Sequence, residues 1–135
     1  MSASTSPVIS WTDDMKLGIA FQDDDHREAV DMINALAQAT GDDLLGLCRH
    51  FLTHCEEHFG REDEMMRQTG FFALVPHSGE HARVLDELRQ VVANLEAGDP
   101  QPDYFRQALP AWFRGHLESM DAVTANFARQ RGFTG

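Results

Sequence analysis

Apolar residues recur along this chain three and four positions apart, the spacing that lines one face of an α-helix, and no stretch alternates in the way a strand requires. The first stripe joins Ala29, Val30, Ile33, Leu36 and Ala37 and predicts a helix from about Asp24 to Thr40, with Asp23, Asp24 and Asp25 at the positive end of its dipole. After Gly41, with Asp42 as a candidate cap, Leu44, Leu47, Cys48, Phe51 and Met65 predict a second helix running to Thr69, where Gly70 supplies the stop. A loop from Phe71 to Pro76 leads to a third helix, His77 to Ala97, striped by Val84, Leu85, Leu88, Val92 and Leu95 and closed by Gly98 and Pro100. Phe105, Leu109, Trp112, Val123 and Phe127 define a fourth, Asp103 to Arg131, in which Pro110 either kinks the rod or marks its true start.

Short loops between amphipathic helices make neighbours antiparallel. The expected fold is therefore all-α, an up-down antiparallel four-helix bundle over residues 21–131, preceded by an extended N-terminal arm, residues 1–20, with Trp11 as its packing anchor. The 135 residues suffice for one domain with a real core and are too few for two, so 1–135 reads as a single domain.

The stripes are not purely apolar. Extending the first back one turn reaches His26; His54, His58 and Glu62 fall on the second, His77 and His81 on the third, and His116 at the centre of the fourth. Burying a polar ring without a partner costs about 1–3 kcal/mol. One inward histidine is ordinarily a hydrogen-bonded core residue, but His26, His58, His77, His81 and His116 together need a joint compensation, which a metal centre provides. Residues four apart on a helix stack with Cβ atoms ~6 Å apart, so His77 with His81, and His58 with Glu62, can each meet a common centre.

His116 is followed by Asp121, five residues on, which a regular helix rotates ~140° off the stripe. Spacing alone makes Asp121 an exposed carboxylate unless it reaches in from the flank or a π-bulge corrects its phase. Five imidazoles with Glu62 and Asp121 exceed the four ligands of a tetrahedral zinc and suit two metals sharing bridging carboxylates. Iron is compatible with such a set, though the residues alone leave the metal unnamed.

A formal charge of −11 repels phosphate backbones and anionic headgroups, so neither nucleic acid nor a membrane surface is an expected partner. No apolar run approaches the ~20 residues of a transmembrane helix. Met1 to Pro7 lacks the basic and apolar regions of a secretory signal, which makes a cytoplasmic location the expectation. Cys48 and Cys55, seven apart on one helix, lie ~10 Å from each other, beyond disulfide reach, and read as buried free thiols. Without a CxxC pair, thiolate metal sites are disfavoured. Glu57, Asp63 and Glu64 read as a solvated acidic face, and His50 as a solvated residue near the bundle end.

The ordered set DDDHREAVDMINAL, HFGREDEMM, HSGEH and WFRGHLESMD resembles the bacterial hemerythrin family, whose pattern is a His, then HFxxE, HxxxH and HxxxxD. The likeness covers Trp11 to Phe127. It implies that His77, His81 and His116 ligate one iron, that His26 and His58 ligate a second, and that Glu62 and Asp121 bridge an oxo- or hydroxo-bridged diiron cofactor. The second iron would keep an open position for dioxygen, where small anions could also bind.

The implied function is a non-haem diiron protein that binds dioxygen reversibly as carrier, store or sensor, and is not an enzyme. The alternatives are a diiron enzyme acting on dioxygen, peroxide or nitric oxide, and an iron-storage module. Trp112, Phe113 and His54 would stand around the cofactor pocket. Three positions depart from the family. Asp25 replaces the usual glutamine before the first ligand, leaving Asp23 at the family's aspartate. His54 stands where relatives often carry tyrosine, as a donor to a ligand or an outer-pocket residue, and Phe113 replaces the leucine that lines the dioxygen pocket.

Overall fold

The computed structural model describes residues 7–133; the first six residues of the expected arm lie outside them. Three long helices, α1 (Ala20–Gln38), α2 (Gly41–Thr69) and α3 (Leu74–Glu96), are followed by a fourth rod. That rod is composite: a π turn at Tyr104–Ala108, α4 (Leu109–His116), a second π turn at Leu117–Asp121, and α5 (Ala122–Gln130). No strand occurs among the described residues, and the architecture is the expected all-α bundle.

The largest apolar cluster joins Ile33, Leu36, Cys48, Phe51, Leu88, Phe105, Leu109 and Leu117 from all four rods. A smaller one joins Ile19, Met65, Ala125 and Ala128. Along the chain Gln22 and His26 fall between Ile19 and Ala29, Glu62 between Phe59 and Met65, and Asp121 between Leu117 and Ala125, so the polar layer has an apolar cluster on either side. Cys48 and Cys55 are buried and unpaired, and burial pushes the Cys48 thiol up to about 11, too high for appreciable thiolate at neutral pH.

Two boundaries differ from the sequence expectation. α1 begins four residues before Asp24, at Ala20, so that Asp23 stands in its first turn and reaches back over the helix end. One carboxylate oxygen accepts the Leu17 N–H at 2.7 Å and the other the Gly18 N–H at 3.1 Å, tying the arm to the helix it precedes. α3 begins at Leu74 rather than His77, which puts Pro76 in the first turn, where its missing N–H has no helical acceptor to forsake. α2 stops as expected: Gly70 takes a left-handed φ of 69°, and the Phe71 N–H turns back to the Met66 carbonyl at 2.9 Å.

The arm is not extended throughout, since a 3-10 turn spans Asp13–Met15. Asn34 on α1 accepts the N–H groups of Val8 and Ile9 at 2.8 and 3.1 Å and donates to the Ile9 carbonyl at 2.7 Å, which pins Ile9 into the core. Trp11 is half-buried against the same cluster, with the Arg27 guanidinium 5.0 Å above its ring.

Both irregularities of the fourth rod are explicable. Pro110 has no N–H and would crowd the carbonyl four residues back; the preceding π turn, in which the Leu109 N–H bonds Tyr104 five residues back, absorbs that conflict without ending the helix. The second π turn starts just after His116 and ends on Asp121. Hydrogen bonds spanning five residues instead of four return residue i+5 to the face of residue i, and Asp121 is buried.

Asn34→Ala should remove all three arm hydrogen bonds and cost about 1–3 kcal/mol, read as a lower urea midpoint with an unchanged slope. Proteolysis at residues 8–12 should quicken in the same variant.

Candidate metal centre

Each rod delivers its polar groups to one layer. α1 supplies His26 and Gln22, α2 His58 and Glu62, α3 His77 and His81, and the fourth rod His116 and Asp121, all of them buried. The seven residues expected from the sequence to share a site are therefore brought together. One ligand atom from each of Glu62, His77, His81, His116 and Asp121 falls within 4.8 Å of the others, and His26, His58 and Glu62 form a second such group.

The two carboxylates connect these groups. Glu62 places Oε1 at 3.2 Å from His81 Nε2 and Oε2 at 3.0 Å from His58 Nε2 and 3.8 Å from His26 Nε2. Asp121 places Oδ1 at 3.2 Å from both His77 Nε2 and His116 Nε2, and Oδ2 at 3.2 Å from His26 Nε2. Each carboxylate thus shows one oxygen to either group.

The outer ring nitrogens explain why the Nε2 atoms converge. Thr124 spends its hydroxyl proton on the Met120 carbonyl at 2.9 Å, so its oxygen accepts from His77 Nδ1 at 2.8 Å. Asp63 stands 3.2 Å from His81 Nδ1 and Asp25 2.7 Å from His58 Nδ1, and an ionised carboxylate can only accept. All three rings therefore hold a proton on Nδ1 and aim Nε2 inward, the orientation a metal requires. Arg61 holds Asp25 in turn, at 2.7 Å. Gln22 Nε2 donates to Glu62 Oε2 at 2.8 Å.

Burial weighs against ionising Glu62 and Asp121, yet the facing imidazoles outweigh it and hold both carboxyls below the ordinary range. Burial likewise opposes charge on His58, but Glu62 and Asp25 raise it to about 10. A dication at the same place would displace those ring protons and satisfy the same oxygens.

The residues present fit a dinuclear metal centre. Buried atoms without a hydrogen-bond partner include His26 Nε2, His77 Nε2, His81 Nε2, His116 Nε2, Glu62 Oε1 and Asp121 Oδ1, which all lie in this layer. Unpaired atoms at this density are otherwise rare in an interior, because each costs about 1–3 kcal/mol.

The hemerythrin HHE cation binding domain model matches residues 17–128. The chain belongs to the hemerythrin family. It is 33% identical over 127 residues to the bacteriohemerythrin of Ralstonia nicotianae, covering 93% of both chains. It is 26% identical over 121 residues to that of Aquifex aeolicus, covering 82% of this chain and 89% of the relative. A crystal structure of a hemerythrin with one leucine changed to alanine superposes with a TM-score of 0.84 at 22% identity, over 91% of this chain and 98% of that one, which shows the shared fold.

In this hemerythrin the aromatic wall is also in place. The Trp112 ring stacks on His116 at 4.7 Å, and its Nε1 donates to Glu80 at 2.7 Å; Phe59 stacks on His81 at 4.1 Å. Phe113 is buried with its ring 5.8 Å from that of His26, nearly perpendicular to it. His54 lies one turn before His58, its ring stacked at 6.3 Å, outside both ligand groups. His50 is exposed.

Sequence reasoning missed the supports. Asp63, read as part of a solvated face, is half-buried and holds His81, while Glu57 and Glu64 are exposed as expected. Gln22, Thr124 and Glu80 carried no signal of their own, because each acts across a helix interface that periodicity does not reveal. Asp25 serves His58 rather than its neighbour His26.

Removing metal should strand the whole layer, so chelation should lower the melting temperature by more than about 10 °C. His58→Ala and His81→Ala should each lose bound metal, whereas His50→Ala keeps it. Asp63→Asn should weaken metal retention about 10–100-fold in competition with a chelator. Retention unchanged in Asp63→Asn would show that its contact with His81 is incidental.

Proposed function

We propose that this chain is a non-haem diiron protein that binds dioxygen reversibly, acting as carrier, store or sensor and not as an enzyme. The observation that carries the reading is the pair of buried carboxylates, each presenting one oxygen to either of two imidazole groups. His77, His81 and His116 would hold one iron and His26 and His58 the other, with Glu62 and Asp121 bridging. The group with two imidazoles, His26 and His58, would leave an open position on its metal, and small anions would compete there.

Two ferrous ions held by these residues would supply the electrons that retain dioxygen. The chain supplies everything else. Thr124, Asp63 and Asp25 aim the imidazoles, so the inward nitrogens are in place before the metal arrives. Gln22 fixes the rotamer of Glu62 and neutralises part of its charge by hydrogen bonding.

Next to His26 and His58 is a small cavity with about 20 Å³ open to the centre of a water molecule, walled by Ala29, Phe51, Cys55, Phe59 and Phe113. That is room for one water or a diatomic ligand. An apolar wall of this kind limits water and protons near a bound ligand, which favours release of the ligand unchanged over its reduction.

Among the described residues no helix is long and apolar enough to cross a membrane. A bacteriohemerythrin role in the cytoplasm, over one domain spanning 1–135, fits the acidic composition. The Ralstonia relative, named a bacteriohemerythrin and matched over 93% of both chains, supports the bacteriohemerythrin part of this reading.

Anaerobic diferrous protein exposed to dioxygen and then degassed should cycle between two absorption spectra with little loss. Irreversible bleaching, or many turnovers with an added reductant, would favour a diiron enzyme instead. Phe113→Leu should speed dioxygen association and anion uptake in stopped-flow mixing, at a stability cost of about 1–3 kcal/mol from the smaller core side chain. Equal association rates in the two proteins would show that the Phe113 ring does not gate entry.

A further inference from the structure

Among the described residues the exposed large apolar side chains are Phe72, Val75 and Val123, at 77%, 80% and 51% exposure. Phe72 and Val75 flank the start of α3, and Val123 lies on the part of the fourth rod that meets it. A cavity of about 240 Å³ opens there, walled by Phe72, Ala73, Pro76 and His77 on one side and by Met120 and Val123 on the other. Local sequence makes it. Phe71 packs inward, 6.5 Å from the His77 ring, while Phe72 stays outside against Phe71 and Phe127, and Ala73 and Ser119 are too small to close the gap.

The wall offers an occupant neither charge nor a hydrogen bond. Residues 68–79 include no Asp, Glu, Lys or Arg, in a chain of formal charge −11. On the fourth rod Asp121 is buried in the polar layer, and Arg131 stands 4.5 Å over the Phe127 ring instead of lining the cavity. The two polar side chains that do line it are already engaged. Ser119 donates to the Gly115 carbonyl at 2.6 Å, and His77 gives Nδ1 to Thr124 and turns Nε2 toward Asp121.

These features select the occupant. A charged molecule would shed hydration with nothing to replace it, and a polypeptide would bring backbone N–H and C=O groups that find no partner in the wall. A stable protein interface also takes about 800 Å² from each partner, far more than three exposed side chains provide. A small uncharged ring compound meets neither cost and gains by releasing water from the wall. A cavity of about 150 Å³ encloses benzene, so the volume here accommodates about two fused rings. We propose that this cavity is a binding site for a small, neutral, ring-containing apolar molecule, separate from the cavity beside His26 and His58 and independent of the oxygen-binding reading.

Naphthalene is the probe, with the 2-naphthoate anion as its charged counterpart. Binding of each to the metal-loaded protein would be followed by equilibrium dialysis in wild type, Val123→Glu and Val75→Ser, with metal content and melting temperature checked in each. Naphthalene should bind wild type saturably, and 2-naphthoate at least about tenfold more weakly. Val123→Glu puts a charge at the cavity mouth and should weaken naphthalene about tenfold. Val75→Ser, exposed but outside the wall, should change it less than about twofold. Should Val123→Glu disturb the fold, Ala73→Leu fills the cavity without adding charge and should cause the same loss. Equal affinity for naphthalene and 2-naphthoate, or equal losses in Val123→Glu and Val75→Ser, overturns the proposal. A wild-type dimer in sedimentation velocity that Val123→Glu dissociates also overturns it, and gives the face to a second copy of the chain.

Discussion

The constraint on which this structure turns is the cost of placing five imidazoles and two carboxylates where a bundle ordinarily keeps leucine. Each group taken singly would destabilise the interior. Set in one layer they offset one another, through the approach of the rings to Glu62 and Asp121 or through metal cations in the same positions. The apolar clusters on either side then have a second task besides cohesion: they keep water from satisfying the layer instead.

Outer contacts decide how that layer is oriented. Thr124, Asp63 and Asp25 stand on different elements from the rings they hold, so His77, His81 and His58 are each positioned by two helices at once. Glu80 extends the scheme by fixing the indole that stacks on His116. Misplacing one helix would disturb aim and tautomer together, which couples bundle packing directly to the chemistry of the site.

Much of this was legible in the sequence because ligand and core positions obey the same helical period. His77 and His81, or His58 and Glu62, declare their face through the spacing to Val84 and Phe51. Asp121 marks the limit of that logic: its spacing from His116 argues for an exposed residue, and only the family pattern argued otherwise. The helix 1 boundary was misplaced because an acidic run looks like an N-terminal turn, whereas Asp23 caps backward onto Leu17 and Gly18. Asp63, Gln22 and Thr124 were invisible as supports for another reason. Their roles depend on the rotation of one rod against its neighbour, which no single stripe encodes.

The second π turn has a meaning beyond local geometry. A π turn is a straight helix with one residue added, and here that residue changes which side chain of the rod faces inward without changing where the helix leads. Residues before it, such as Phe113, and after it, such as Ala125, still pack into their respective clusters. Bringing the Asp121 carboxylate onto the inward face is thus a matter of chain length within one turn, separable from the composition of the core. A lineage could gain or discard the dinuclear site by a single-codon insertion or deletion while the scaffold persisted.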